Sequence, residues 1–290
     1  MSDLTPSPNA STAGTLVLGG DLRVARLGFG ALRIIGPRGL GRPADRPRAL
    51  GVLRRAVELG ITLIDTADSY GPGVSEELIA EALHPYPAGL VIATKGGFTR
   101  PIGAWRANGR PAHLREALEG SLRRLRVDRI DLYQLHTVDP KVPIEESVGT
   151  LAAMQAQGKI RHIGVSNVTV EQLRRAQAVA RIVSVQNEYG LAERESDGVV
   201  DVCAREGLAF LPWAPLAAAR RGRKALAASL ANVALKHSAT TTQVALAWLL
   251  RRSPAVLPIP GTGSPEHLNE NVAAAGLRLS DEEYETLARA

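Results

Sequence analysis

The feature that most constrains this chain is an alternation repeated almost end to end, in which an amphipathic stretch leads into a short apolar run. Helical spacing over 48–60 (RALGVLRRAVELG) leads into ITLID at 61–65. The same succession recurs as 75–84 into 89–95, 112–126 into 129–136, 144–158 into 160–167, 170–180 into 181–187, and 196–207 into 208–213. Two helices over about 223–252 precede AVLPIPGTG at 255–263, and helical stretches follow at 265–275 and 280–289. With RLGFG (26–30) as the first, the strands number eight. Strict alternation argues for a parallel sheet joined by right-handed crossovers. Eight such units in 290 residues predict a closed (β/α)8 barrel, a TIM barrel. An open doubly wound sheet is disfavoured, because no Gly-x-Gly-x-x-Gly stands between a strand and a helix.

Ahead of the alternation, TLVLGGDLRVARLGFG (15–30) reads as a hairpin turning at Gly19-Gly20-Asp21. Residues 1–14 read as a disordered leader, which leaves a single domain over 15–290. Long loops are expected at 33–46 and 96–111. Aromatic residues are only 4% of the sequence, so the core must be aliphatic, as parallel sheets generally are. Cys203 is the one cysteine. It excludes an intramolecular disulfide and a cysteine-rich metal site, and it suits the reducing cytoplasm. No window approaches the ~20 apolar residues of a membrane span, so no membrane partner is expected. The net charge of +6 comes from arginines spread along helix faces beside acidic residues. The densest basic run, Arg220 to Lys224, has no interleaved aromatics. It suits a phosphorylated small molecule better than nucleic acid.

In such a barrel the active site lies at the C-terminal ends of the strands. The second strand ends at Asp65 with Tyr70 in the following loop, the third at Lys95 and the fourth at His136. The fifth ends at Ser166-Asn167, the sixth at Gln186-Asn187, the seventh at Trp213 and the eighth in Pro-Gly-Thr-Gly. Any one of these alone fits a helix cap, a satisfied core group or an exposed rim. Three consecutive strands ending Asp, Lys and His aim three titratable groups into one funnel, with a phenol beside them. A tyrosine with an ordinary pKa of ~10 is a poor acid until a cation stabilises its phenolate. Lys95 supplies that cation, Asp65 holds Lys95, and His136 hydrogen-bonds a substrate oxygen or relays a proton. No Ser-His-Asp or Cys-His arrangement is present, and the scattered histidines predict no metal site.

These strand ends sit within LGFGALR, LIDTADSYGPGVSEELIAEAL, VIATKGG, RIDLYQLH, GKIRHIGVSN, VQNEYG and PIPGTGSPEHLNEN. Through these motifs the sequence resembles the aldo-keto reductase superfamily over almost its whole length. The resemblance implies a barrel with a hairpin across its bottom. It also implies NADPH as cofactor with NADH possible, and reversible reduction of a small-molecule aldehyde or ketone. The family's catalytic tetrad falls on Asp65, Tyr70, Lys95 and His136. The resemblance implies cofactor-binding roles for Gly30 and Ala31, places Ser166, Asn167 and Gln186 at the nicotinamide carboxamide, and stacks Trp213 on the ring. Pro215 and Leu216 open a segment crossing the pyrophosphate, which Arg220, Arg221 and Arg223 also join. Gly261, Thr262, Ser264, His267, Glu270 and Asn271 match the adenosine site. Gly261 stands where a lysine is common and His267 where an arginine is common, so the implied NADPH preference is modest. Phe98 and Trp105, in the 96–111 loop, are the implied substrate contacts. The subgroup that the sequence most resembles includes bacterial pyridoxal reductases. Potassium-channel β-subunits resemble it too, which gives a second reading as a cofactor-binding regulatory protein. The expected assembly is a monomer or a weak homo-oligomer.

Overall fold

The computed structural model describes residues 8–215 and 224–290. Thr15–Leu18 (β1) and Leu22–Ala25 (β2) form the antiparallel hairpin. Phe29–Gly30 (β3), Leu63–Asp65 (β4) and Val91–Gly96 (β5) then begin a parallel sheet. The loop after β5 carries its own small hairpin, Phe98–Thr99 (β6) against Arg106–Ala107 (β7). Ile130–Leu135 (β8), Ile160–Ser166 (β9), Ile182–Gln186 (β10) and Ala209–Phe210 (β11) complete seven parallel strands lying side by side in chain order.

The eighth strand is residues 255–260, bonded on both sides. The N–H of Phe210 donates to Ala255 at 2.9 Å, and that of Leu257 donates to Phe210 at 2.8 Å. On the other side, the N–H groups of Gly28 and Gly30 donate to the carbonyls of Pro258 and Pro260 at 2.9 and 3.4 Å. Neither proline has an N–H to return, so the segment closes the barrel without becoming a regular strand. The fold is the (β/α)8 barrel that the alternation predicts.

Helices Arg46–Glu58 (α1), Val74–Leu83 (α2), Pro111–Leu125 (α3), Ile144–Ala156 (α4), Val170–Gln177 (α5) and Asp197–Glu206 (α6) link the strands. Lys224–Lys236 (α7), Thr241–Arg252 (α8), Pro265–Ala273 (α9) and Asp281–Arg289 (α10) follow β11. Their inward faces follow helical spacing: α1 buries Ala49, Val52, Leu53 and Ala56. Capping boxes start three of them: Thr169 with Gln172 on α5, Thr240 with Gln243 on α8, and Ser280 with Glu283 on α10.

The barrel interior is layered. At the bottom, Leu18, Leu22 and Val24 of the hairpin pack with Leu63, Val91, Leu211 and Leu257. Above them lie Ala93, Leu132 and Val183. At the C-terminal ends the filling turns polar, with Asp65, Lys95, Gln134 and Gln186 all buried. Strand alternation produces this switch: on β5 the side chains of Ala93 and Lys95 face in, while Thr94 faces out and donates to Glu76 Oε1 at 2.6 Å.

Residues 9–14 of the expected disordered leader are ordered. Asn9 caps a 3₁₀ turn over Ala10–Ala13, and Ala10 is fully buried, with its N–H donating to Leu59 at 2.8 Å. A small residue in an otherwise polar stretch is enough to anchor it. The seventh strand is also shorter than 208–213, because Pro212 cannot extend the ladder.

Candidate active site

β4 and β5 deliver Asp65 and Lys95 side by side to the barrel axis. Lys95 Nζ donates to Asp65 Oδ2 at 2.6 Å and to the Thr66 carbonyl at 2.7 Å. Asp65 Oδ1 accepts from Gln186 Nε2 at 2.8 Å and from Gln134 Nε2 at 3.2 Å. Lys95 is 0% exposed and Asp65 is 2% exposed, so the pair has essentially no water. A buried ion pair is tolerable when further hydrogen bonds satisfy its remaining lone pairs and protons, as here.

The loop after β4 brings Tyr70 over this pair. Asp68 N–H donates to the Lys95 carbonyl at 3.1 Å, and Gly73 N–H donates to the Asp68 carbonyl at 2.7 Å. Gly71 turns the chain at φ 99°, where a Cβ would lie 2.5 Å from Cβ of Val74, so only glycine fits. The Tyr70 ring centroid lies 5.1 Å from Lys95 Nζ. His136 follows β8; its N–H donates to the Gly96 carbonyl at 2.9 Å, and its Nδ1 lies 3.4 Å from Ser69 Oγ. The imidazole meets Tyr70, Phe98 and Trp105 edge-on, with ring centroids 5.9, 4.8 and 5.8 Å away.

These surroundings set the protonation states. Burial raises the Tyr70 phenol; the charge of Lys95 pulls it down but does not fully offset burial, so the phenol stays protonated. The expected lowering by lysine is therefore present, but desolvation outweighs it. Burial pulls the Lys95 ammonium down, yet Asp65 and the phenol together hold it above its ordinary value. Burial, helped by Lys95, keeps the His136 imidazole well below its ordinary value, hence neutral.

A cleft of about 650 Å³ opens beside these groups and runs past Asn167 and Trp213 to Gly261. Trp213 Nε1 donates to Asn167 Oδ1 at 3.0 Å, while Asn167 Nδ2 donates to the His136 carbonyl at 3.0 Å. Asn167 takes the left-handed conformation, φ 57°, which asparagine tolerates better than most residues. Ser166 Oγ donates to the Gln186 carbonyl at 2.6 Å. At the far end, the ends of the first and last strands meet through two glycines. A Cβ on Gly261 would lie 2.4 Å from the Gly30 carbonyl oxygen.

The structure thus gathers Gly30, Asp65, Tyr70, Phe98, Trp105, His136, Ser166, Asn167, Gln186, Trp213, Pro215 and Gly261 around one cleft, with Lys95 bonded to its floor at Asp65. Ala31 does not line it; its side chain is buried in the surrounding core. Leu216, Arg220, Arg221 and Arg223 lie outside the described residues. The remaining adenosine-site candidates continue beyond Gly261. Thr262 Oγ1 accepts from Ser264 N–H at 3.0 Å, and Ser264 caps α9 by accepting from His267 N–H at 3.2 Å. His267 and Glu270 are exposed there, and Asn271 is buried. Among the described residues no cluster of three or more His, Cys, Asp or Glu side chains is arranged to hold a metal ion.

Sequence reasoning missed Gln134, Ser69, Leu32 and Arg33. Gln134 had a usable signal: it lies two residues before His136, on the inward face of a strand that is otherwise apolar there. Leu32 and Arg33 follow β3 in a 3₁₀ turn that carries no periodicity to read.

A barrel that buries a lysine beneath a phenol, and opens a cleft of ligand size beside them, has the makeup of an oxidoreductase. The chain belongs to the Aldo/keto reductase family, whose model matches residues 26–290. It is 45% identical over 289 residues to pyridoxine 4-dehydrogenase of Escherichia coli, covering 97% of this chain and 98% of that one. It is 46% identical over 280 residues to an uncharacterized oxidoreductase of Schizosaccharomyces pombe, covering 96% and 90%. Among solved structures, an aldo/keto reductase of Klebsiella pneumoniae in complex with NADP and acetate superposes with a TM-score of 0.81 at 31% identity, covering 95% and 94% of the two chains. The glycerol dehydrogenase of Gluconobacter oxydans reaches a TM-score of 0.86 at 27% identity, covering 95% and 94%. The chain is an NAD(P)H-dependent oxidoreductase.

Proposed function

We propose that this protein reduces aldehydes and ketones to alcohols with NADPH as its preferred cofactor, and that Tyr70 is the proton donor. The observation that carries this is the fully buried Lys95, held 2.6 Å from Asp65 with its ammonium 5.1 Å from the Tyr70 ring centroid. A carbonyl oxygen placed against Tyr70 gains negative charge as its carbon is reduced. The phenol gives up its proton at that moment, and the fixed ammonium stabilises the phenolate left behind. Asp65 keeps Lys95 charged and in place. Neutral His136, between Tyr70 and Phe98, is placed to hydrogen-bond the same carbonyl oxygen.

The cleft fits a nicotinamide cofactor. Trp213 offers a flat face, Asn167 and Gln186 offer carboxamides beside it, and the Gly30–Gly261 contact leaves backbone, not side chains, at the far end. Bound there, the cofactor supplies a hydride to the carbonyl carbon. The aromatic wall of Phe98, Trp105 and Tyr70 favours a flat substrate. Pyridoxal is such a substrate, and the relative named pyridoxine 4-dehydrogenase supports including it.

The test is turnover: repeated NADPH consumption with pyridoxal and with nitrobenzaldehyde, each alcohol product identified. Tight NADPH binding with no turnover across a panel of aldehydes, ketones and alcohols would instead favour a regulatory cofactor-binding protein.

A further inference from the structure

Arg33 sits at the rim of the cleft and is unexplained by the chemistry above. It follows β3 on the 3₁₀ turn Ala31–Ile34 and is exposed. Among the described residues its guanidinium makes no hydrogen bond or ion pair. Of the described residues that line the cleft, Arg33 is the one bearing a permanent positive charge. Its neighbour Arg48 is already committed, bonding the Gly263 carbonyl at 3.1 Å and Glu266 at 3.3 Å.

The backbone around Arg33 is arranged for close approach. A Cβ on Gly261 would meet the Gly30 carbonyl oxygen at 2.4 Å and Arg33 Cγ at 3.6 Å. A Cβ on Gly263 would meet the Arg33 carbonyl oxygen at 3.0 Å. Residues 261 and 263 therefore carry no side chain of their own, and the stem of Arg33 passes over this end of the last strand. A dinucleotide whose reactive ring lies by Tyr70 has its phosphates further along the same cleft. Glycine backbone lets a phosphate come close but supplies no charge to meet it. A free guanidinium, with its planar fork of donors, does.

We infer that Arg33 is a phosphate-pairing residue of the cofactor site, supplying from the first strand's loop the charge that the glycine-rich last strand lacks. This rests on the nicotinamide-dependent reading above. It concerns binding, so it is tested without turnover, by titrating the protein with NADPH or NADH and following quenching of tryptophan fluorescence, for which Trp213 is suitably placed.

Arg33→Gln is expected to weaken binding roughly tenfold, the worth of one charge-assisted hydrogen bond, and to flatten the salt dependence of Kd. Arg33→Lys should recover most of the loss. Equal weakening for both cofactors puts the partner at the pyrophosphate they share; weakening for NADPH alone puts it at the 2′-phosphate. A Kd for both cofactors within twofold of wild type in Arg33→Gln overturns the inference. So does a loss that Arg33→Lys does not restore. If wild type quenches with neither dinucleotide, the cofactor reading itself fails, and that result is distinct from the others. Because Arg33 has no partner to lose among the described residues, an unchanged melting temperature shows that each variant is folded.

Discussion

Asp65 and Asp68 lie three residues apart in one motif, both buried, at 2% and 9% exposure, and they meet opposite fates. Asp65 has a lysine at 2.6 Å and two side-chain amides. Among the described residues Asp68 has no cation in contact, and its Oδ1 has no hydrogen-bond partner. Burial and the nearby charge of Glu76 push its carboxyl up to about 7, although Arg124 and Ser69 oppose them. The same side chain at almost the same depth is thus ion-paired to a lysine in one place and, in the other, a carboxyl that its surroundings push toward the protonated form. Depth sets the cost of the charge, and the partners decide whether the charge persists.

The most damaging way to break this contrast is Lys95→Met, which leaves Asp65 buried without its cation. Carbonyl reduction should fall by at least the ~10²–10⁴-fold typical of lost general acid catalysis. Stability should drop by about 3–5 kcal/mol, the usual cost of stranding a buried charge. Steady-state kinetics with a denaturant melt check both. A normal rate with an unshifted pH profile would remove the charge-tuning role of Lys95.

Tyr70→Phe separates the pair from the group it serves. It should lower kcat by roughly 10²–10⁴-fold while leaving Asp65, Lys95 and the dinucleotide Kd close to wild type. Retention of activity within threefold would take the proton from another donor.

Asp68→Asn addresses the other aspartate and is a stability measurement. The folded value, about 7, stands above the ordinary 3.8, so folding favours the protonated carboxyl. The stability that this provides is complete below the ordinary value and is lost as the pH rises through about 7. Wild type should therefore lose stability relative to Asp68→Asn across that window, by up to about 4 kcal/mol. Melts at matched pH values check the sign. Parallel stability curves would show that Asp68 titrates as it does in water.

The smallest effect is expected at His267, on α9 beyond either aspartate's reach. His267→Arg places a permanent, bidentate charge beside the candidate adenosine site. It should raise the ratio of kcat/KM for NADPH over NADH several-fold without touching the carbonyl chemistry. A ratio that stays unchanged would move the 2′-phosphate away from this helix.

Much of this was legible beforehand. The strand ends announced Asp65, Lys95 and His136 because alternation and barrel geometry both act locally. The contrast between Asp65 and Asp68 was not legible, because what separates them comes from distant segments. Gln186 reaches Asp65 from 121 residues along the chain. Strand position assigned Lys95 to Asp65, but nothing in IDTAD says that Asp68 will be buried without a cation of its own. The placement of Ala31 was not legible for a related reason: the chain turns immediately after Gly30, so that one residue lines the cleft and the side chain of the next is buried in the core. The ordered Asn9–Ala13 turn was hidden because a single buried alanine leaves no pattern.

The proline-bearing last strand carries one more consequence. Among the described residues, four backbone hydrogen bonds seat residues 255–260 between β11 and the first strand, and none is donated by Pro258 or Pro260. A junction so thinly bonded is where a closed barrel should breathe first, with the amides of Gly28 and Gly30 exchanging with solvent sooner than those of β8 and β9. Gly30 and Gly261 are on opposite sides of that junction and both line the cleft. A molecule bound across them would hold the two edges together. Ligand binding would then register as slowed exchange at those glycines and as a melting temperature that climbs with ligand concentration.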